Sequence, residues 1–316
     1  MLDSLHIKNF RCFEDLTIPS LGRVNLIVGK NNSGKSTLLE AIAVFTQHGK
    51  KAALLEILNK REEFQSSQSE INNIYFNHIT SNKEIFIGNT AKTLGLSLSE
   101  SKHIIFDEAL KISHNFPQAL KNTINDHSYP FSSVDTCIKP DFEMAEIWDE
   151  IRIHKQDKLA SEALQLIDSS IENVFYTSNM VTMVSLLKEP KARPIKSMGE
   201  GMSRLLQLFL HAFHARSGYL TIDEFENGLH YSIQEEVWKK LFKLTKELNI
   251  QVFATTHSED TVKAFCKVAV ADKEVDGKLI SLGRSAKTSN KGQIQAVNFD
   301  ENQLKRFIDS GMEVRG

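Results

Sequence analysis

Hydrophobic and polar positions alternate in short runs at the start of the chain and then settle into helical spacing. Leu5, Ile7 and Phe10 precede a polar break, and Leu16 and Ile18 follow it before Pro19, which predicts two short strands joined as a hairpin. Val24 to Val28 is apolar except for Asn25, as suits a buried parallel strand. Thr37 to His48 then carries Leu38, Leu39, Ile42, Ala43 and Phe45 at helical intervals and stops at Gly49. The opening reads as strand, loop, helix.

The middle is less regular. A helix is expected near Ala52 to Glu63 and strands around Ile74 to His78 and Lys83 to Ile87, with Ser- and Asn-rich joints. From Phe142 to Val174 the apolar positions Met144, Ile147, Trp148, Ile151, Leu164, Ile167 and Ile171 predict two helices and no sustained heptad. After Pro190 and Pro194 the order is regular: helix Ser203 to Ser217 closed by Gly218, strand Tyr219 to Ile222, helix Tyr231 to Leu248, strand Gln251 to Ala254. Leu279 to Leu282 and Ile294 to Val297 predict a last hairpin before a helix over Glu301 to Ser310. The alternation predicts an α/β layer fold: a mixed sheet with flanking helices and an inserted, largely helical region.

Composition narrows the class. With 316 residues, 41% hydrophobic and 25% charged, the chain has enough apolar material to fold and is long enough for two domains. Lys and Arg number 38 against 40 Asp and Glu, so no global basic field argues for nucleic acid. Cys12, Cys137 and Cys266 form no CxxC pair or zinc spacing, which points to a reducing compartment, the cytoplasm. Met1 to Arg11 lacks a signal-peptide core, and no run of about 18 apolar residues predicts a membrane span.

Four segments carry chemistry. Gly29-Lys30-Asn31-Asn32-Ser33-Gly34-Lys35-Ser36 fits GxxxxGK[ST] between a strand and a helix, the context of a phosphate-binding loop, and Thr37 follows it. Its backbone N–H groups and helix N-terminus attract phosphate, Lys35 reaches the β/γ-phosphates of ATP, and Ser36 ligates Mg²⁺. Tyr219 to Glu224 is an apolar strand ending in two acids, a Walker B pattern, with Asp223 as second Mg²⁺ ligand and Glu224 polarising the attacking water. Ser197, Gly199 and Gly201 lie at the start of the following helix, a second anion-binding geometry. One chain does not readily wrap both anion sites around one nucleotide, so two protomers sandwiching ATP head to tail are expected. His257 ends the strand after the Walker B strand, placed to sense the γ-phosphate.

In this order the segments resemble the ABC-type ATPase head, with Ser197 to Gly201 as its signature motif, Glu226 to His230 as its D-loop neighbourhood and His257 as its switch histidine. "LHIKNFRCFEDL", "VGKNNSGKSTLLEAI", "SMGEGMSRLLQL", "IDEFENGLHYSIQ" and "FATTHSED" resemble most the OLD-like and AbiEii-like ATPases of phage-defence systems. That resemblance implies a head built from residues 1–49 and 190–316, an inserted strand pair and helical subdomain at 50–189, and an enzyme hydrolysing ATP with Mg²⁺. It implies homo-oligomers through paired heads and a separate effector protein, a nuclease or toxin, because the residues after His257 are too few for a TOPRIM nuclease plus the closing strands. Alternatives are a DNA-repair ATPase binding DNA directly and a nucleotide-sensing scaffold with negligible turnover.

Overall fold

The computed structural model describes residues 1–48, 51–63, 85–91, 95–100, 110–114, 129–285 and 292–310. Packing divides them into two compact units, unit 1 from Met1–Tyr129 with Lys278–Asp300, and unit 2 from Pro130–Gly277 with the segment from Glu301. Residues 50–189 contribute to both.

In unit 1, β1 (Leu5–Phe10) and β2 (Phe13–Ile18) form the expected hairpin, registered Leu5↔Ile18 and Phe10↔Phe13. Its apolar positions are buried, as one covered face requires. The antiparallel sheet continues from β1 through β4 (Ile85–Gly88) and β5 (Gly95–Glu100) to β6 (Leu110–His114). The expected strand at Lys83 to Ile87 is β4, whereas Ile74 to His78 lies outside the described residues. Strand β3 (Val24–Val28) is buried throughout. Asn25 is tolerated there because its amide closes the preceding turn, accepting from Gly22 N at 2.8 Å and donating to Gly22 O at 2.9 Å. The phosphate loop leads into α1 (Lys35–Thr46), and α2 (Lys51–Lys60) follows. The chain returns to this unit as β13 (Gly277–Arg284) and β14 (Ile294–Phe299), the predicted antiparallel hairpin.

Unit 2 opens with β7 (Phe131–Val134), which pairs in parallel with β11 (Tyr219–Ile222); β11 pairs in parallel with β12 (Gln251–Thr255). Between β7 and β11 lie α3 (Asp141–Ile153), α4 (Asp157–Leu164), strands β8 (Ile171–Tyr176), β9 (Thr182–Leu186) and β10 (Arg193–Pro194), and helix α5 (Glu200–His214). Ile171 and Val174 were expected on a helix and lie on β8. The helical run is broken by Asp168, whose Oδ1 accepts from Ser170 N at 2.9 Å and Ser170 Oγ at 2.6 Å and turns the chain into a hairpin with β9.

Helix α5 begins three residues earlier than the apolar pattern predicts and ends at His214. Gly218 is not its cap. A Cβ there would lie 1.8 Å from Pro130 O, so this glycine lets the start of β11 approach the segment entering β7. Helices α6 (Tyr231–Glu247) and α7 (Glu259–Ala271) meet in an aromatic core in which Trp238 stacks on Phe225 at 3.8 Å and meets Phe265 edge-on at 5.1 Å. The terminal helix α8 (Glu301–Ser310) packs on α7.

Candidate active site

Unit 1 carries the phosphate loop. Gly29 follows β3, Asn31, Asn32 and Ser33 form the turn, and Gly34 is the N-cap of α1 with φ 93°. A side chain at Gly34 would be strained by that backbone and would meet the Phe13 ring at 2.7 Å. No side chain caps α1 and no acid sits in its first turn, so the helix dipole keeps its attraction for an anion. Lys35 Nζ donates to Gly29 O at 2.7 Å and Lys30 O at 3.0 Å, which places its ammonium inside the loop. Ser33 Oγ is buried without a hydrogen-bond partner. A buried hydroxyl left unsatisfied is costly, and a phosphate oxygen held in the loop would satisfy it. These residues fit a nucleotide's phosphates.

A charge network braces this helix from the β1–β2 turn. Arg11 forms ion pairs with Glu40 at 2.8 Å and Glu63 at 2.9 Å, and Arg61 pairs with Glu40 at 2.6 Å while its Nη2 donates to Thr37 Oγ1 at 3.3 Å. Burial raises the Glu40 pKa, opposed by the two guanidinium groups.

Unit 2 carries the paired acids at the end of β11. Asp223 Oδ1 accepts the Thr255 hydroxyl at 2.6 Å, and the same hydroxyl accepts from Glu224 N at 2.9 Å. Phe225 N donates to Thr255 O at 2.9 Å. Glu224 adopts φ 50°, a left-handed conformation that costs a non-glycine residue about 1–3 kcal/mol and persists only where neighbours hold it. Thr255 and Arg204 are those neighbours. The buried Arg204 donates from Nη2 to Asp223 O at 3.0 Å and Glu224 O at 3.4 Å, and from Nη1 to Asp135 O. Burial lowers its pKa, while the carboxylates of Asp135, Asp223 and Glu224 oppose that shift. Oxygen donors such as the Asp223 carboxylate and Ser36 hydroxyl are the kind Mg²⁺ takes.

His257 lies just beyond β12 with an exposed side chain, and the register Ile222↔Ala254 brings its segment level with the acids. Ser197 sits in a 3-10 turn, exposed, its hydroxyl donating to Pro194 O at 2.7 Å. Gly199, at φ 102°, is the N-cap of α5, again with no side-chain cap, and Gly201 lies in the helix's first turn. The structure thus groups Gly29 to Thr37 in unit 1, and Asp223, Glu224 and the His257 segment in unit 2. Sequence reasoning missed Arg204 and Thr255; the adjacent "TTH" threonines were the available signal for Thr255.

The profile of the family described as "AAA domain, putative AbiEii toxin, Type IV TA system" matches residues 24–262, from β3 to beyond His257. The chain belongs to this family. An ATP/GTP phosphatase of Helicobacter pylori is 26% identical over 329 residues, covering 85% of this chain and 88% of that protein. The OLD nuclease of Thermus scotoductus is 55% identical over 42 residues, 13% of this chain and 8% of the nuclease. The Smc head bound to the C-winged helix domain of ScpA superposes with a TM-score of 0.59 at 14% identity, covering 95% of this chain and 98% of that one. That likeness shows the fold to be the ABC-type P-loop ATPase head, a mixed α/β fold rich in parallel pairing. The AbiEii-like AAA member described here is therefore an ATPase of the AAA/ABC P-loop type that shares a 42-residue stretch of sequence with the OLD nuclease and its fold with the Smc head. Among its described residues no helix is long and apolar enough to cross a membrane.

Proposed function

We propose that the chain is a Mg²⁺-dependent ATPase whose heads pair head to tail around ATP, and that the paired state controls a separate effector protein, a nuclease or toxin, in cytoplasmic phage defence. The observation that carries this reading is the phosphate loop, where the Lys35 ammonium and the partnerless Ser33 hydroxyl converge at an uncapped helix N-terminus.

Gly29, Asn31, Asn32, Ser33, Gly34, Lys35, Ser36 and Thr37 take the nucleotide's phosphates. Ser36 and Asp223 are assigned Mg²⁺, which when bound neutralises charge on the phosphates. Glu224 polarises the attacking water and His257 reads the γ-phosphate. Ser197, Gly199 and Gly201 serve the nucleotide of the opposite head. In support, α5 shares with α1 a positive-φ glycine at its N-cap and the lack of a side-chain cap, while Glu200 stands in its first turn where α1 has no acid; α6 and α7 are capped by His230 and Ser258. The Helicobacter pylori relative, called an ATP/GTP phosphatase, supports turnover of bound nucleotide. The OLD nuclease and the ScpA-bound Smc head support a nuclease link and a protein partner.

The test is native mass of Glu224→Gln with and without ATP-Mg²⁺, alone and with the product of the neighbouring gene. An ATP-dependent shift to an even-numbered assembly that retains the neighbour supports the reading; a monomer indifferent to nucleotide defeats the shared-site mechanism. Binding of the isolated chain to duplex DNA with steep salt dependence would favour direct DNA engagement instead.

A further inference from the structure

We propose that Glu226 is the positioning residue of the switch loop: its carboxylate fixes the backbone that presents His257 and ties it to the turn lying against the signature helix. The proposal rests on the ATPase reading above.

Both carboxylate oxygens are spent on one short segment. Oε2 accepts the Thr256 hydroxyl at 2.6 Å, and Oε1 accepts the His257 backbone N–H at 2.7 Å. The Thr256 hydroxyl in turn accepts from Ser258 N at 3.0 Å. Hydrogen bonds to an ionised acceptor are roughly twice as strong as neutral ones, so this grip is firm. Helix α7 does not need it as a cap, because Ser258 Oγ already accepts from Thr261 N at 3.4 Å. The Glu226 bonds therefore act on the loop. Their effect is to hold the main chain of an exposed histidine while its imidazole faces outward. Thr255, one residue earlier, holds Asp223 and Glu224 in the same manner. Acids and histidine are thus set by alternate bonds between the ends of two adjacent parallel strands.

The same turn touches the start of α5. Leu229 N donates to Glu226 O at 2.9 Å and Asn227 Nδ2 donates to Thr136 O at 2.6 Å, which closes and anchors the turn. Gly228 O stands 2.7 Å from where a Cβ on Gly201 would lie. The first turn of the signature helix therefore abuts this turn with no room for a methyl group, and a displacement of that helix reaches His257 through Glu226.

The experiment uses the full chain with two readouts, amide hydrogen exchange over residues 255–258 and steady-state ATP turnover. In Glu226→Ala, exchange over 255–258 is expected to rise about tenfold while that over 219–222 is unchanged. In the same variant kcat is expected to fall about 100-fold with KM held within about twofold, the signature of a misplaced group rather than lost binding. Glu226→Gln keeps an acceptor oxygen toward His257 N–H and is expected to recover much of both. Gly201→Ala is expected to raise exchange over 255–258 through Gly228. Thr256→Val, which removes only the Oε2 bond, is read the same way on a smaller scale if Glu226→Ala does not fold. Unchanged exchange over 255–258 in Glu226→Ala, or a Gln variant as impaired as the Ala variant, overturns the positioning role; no effect of Gly201→Ala overturns the coupling. If wild type and Glu224→Gln turn over ATP equally, the ATPase reading falls, and the exchange arm alone still decides what Glu226 holds.

Discussion

Thr255 is the residue on which both candidate hydrolytic acids depend. One hydroxyl donates to the Asp223 carboxylate and accepts from the Glu224 amide. Thr255→Val keeps the shape and removes both bonds. Losing a hydrogen bond to a charged group costs about 1.5–3 kcal/mol, so kcat is expected to fall about 10- to 100-fold with ATP affinity little changed. Stopped-flow binding of a fluorescent ATP analogue beside turnover checks this; equal losses in both would mean that Thr255 serves binding.

His211 titrates for a different reason. Burial, with His214, Lys139 and Arg204 adding positive charge and Asp135 opposing them, pushes its pKa down to about 3, and its Nδ1 lies 2.6 Å from Ser132 Oγ. The unfolded chain takes up this proton near pH 6.5, the folded chain only near 3, so stability is full above 6.5 and declines as pH falls between the two. The His211 share of that loss between pH 7.5 and 5 is about 2 kcal/mol. Urea midpoints at both pH values should differ less by that amount in His211→Gln; identical pH dependence in the two proteins would contradict the burial argument.

At the scale of elements, the start of β11 depends on a backbone approach and not on a helix cap. Gly218 lies where a methyl group would press on Pro130 O, a main-chain atom that cannot swing away. Gly218→Ala is expected to destabilise unit 2 by about 1–3 kcal/mol, the range for overpacking, read as a lower urea midpoint. An unchanged midpoint would show that the two strand entries separate at no cost. The β8–β9 hairpin carries a related lesson. Apolar spacing continued past α4, yet the Asp168 side chain turned the chain, and Ile171 and Val174 then served a strand face.

At the scale of the molecule, the phosphate loop belongs to unit 1 and the acids to unit 2, while the family match at 24–262 runs through both. A ligand that binds only the folded chain raises its stability by about 2.7 kcal/mol at 100 times its dissociation constant. ATP-Mg²⁺ is therefore expected to raise the melting temperature of wild type and Glu224→Gln and to leave Lys35→Ala unmoved. A Lys35→Ala protein stabilised as much as wild type would refute the assignment of the phosphate loop.

The sequence by itself determined those features whose partners lie close along the chain. Gly29 to Ser36 forms a phosphate loop because its carbonyls, ammonium and helix N-terminus sit within eight consecutive residues, and the β1–β2 and β13–β14 hairpins and the core helices follow from apolar spacing. The Walker B strand was legible for the same reason, as an apolar run ending in acids. Only the tertiary structure decided the parts of Thr255, Glu226 and Arg204. Their bonds join residues distant in sequence, and what brings them together is the parallel register Ile222↔Ala254 and the burial of α5. Residue type records that a threonine or glutamate is able to hold a partner; which partner it holds depends on how far each strand runs before it ends.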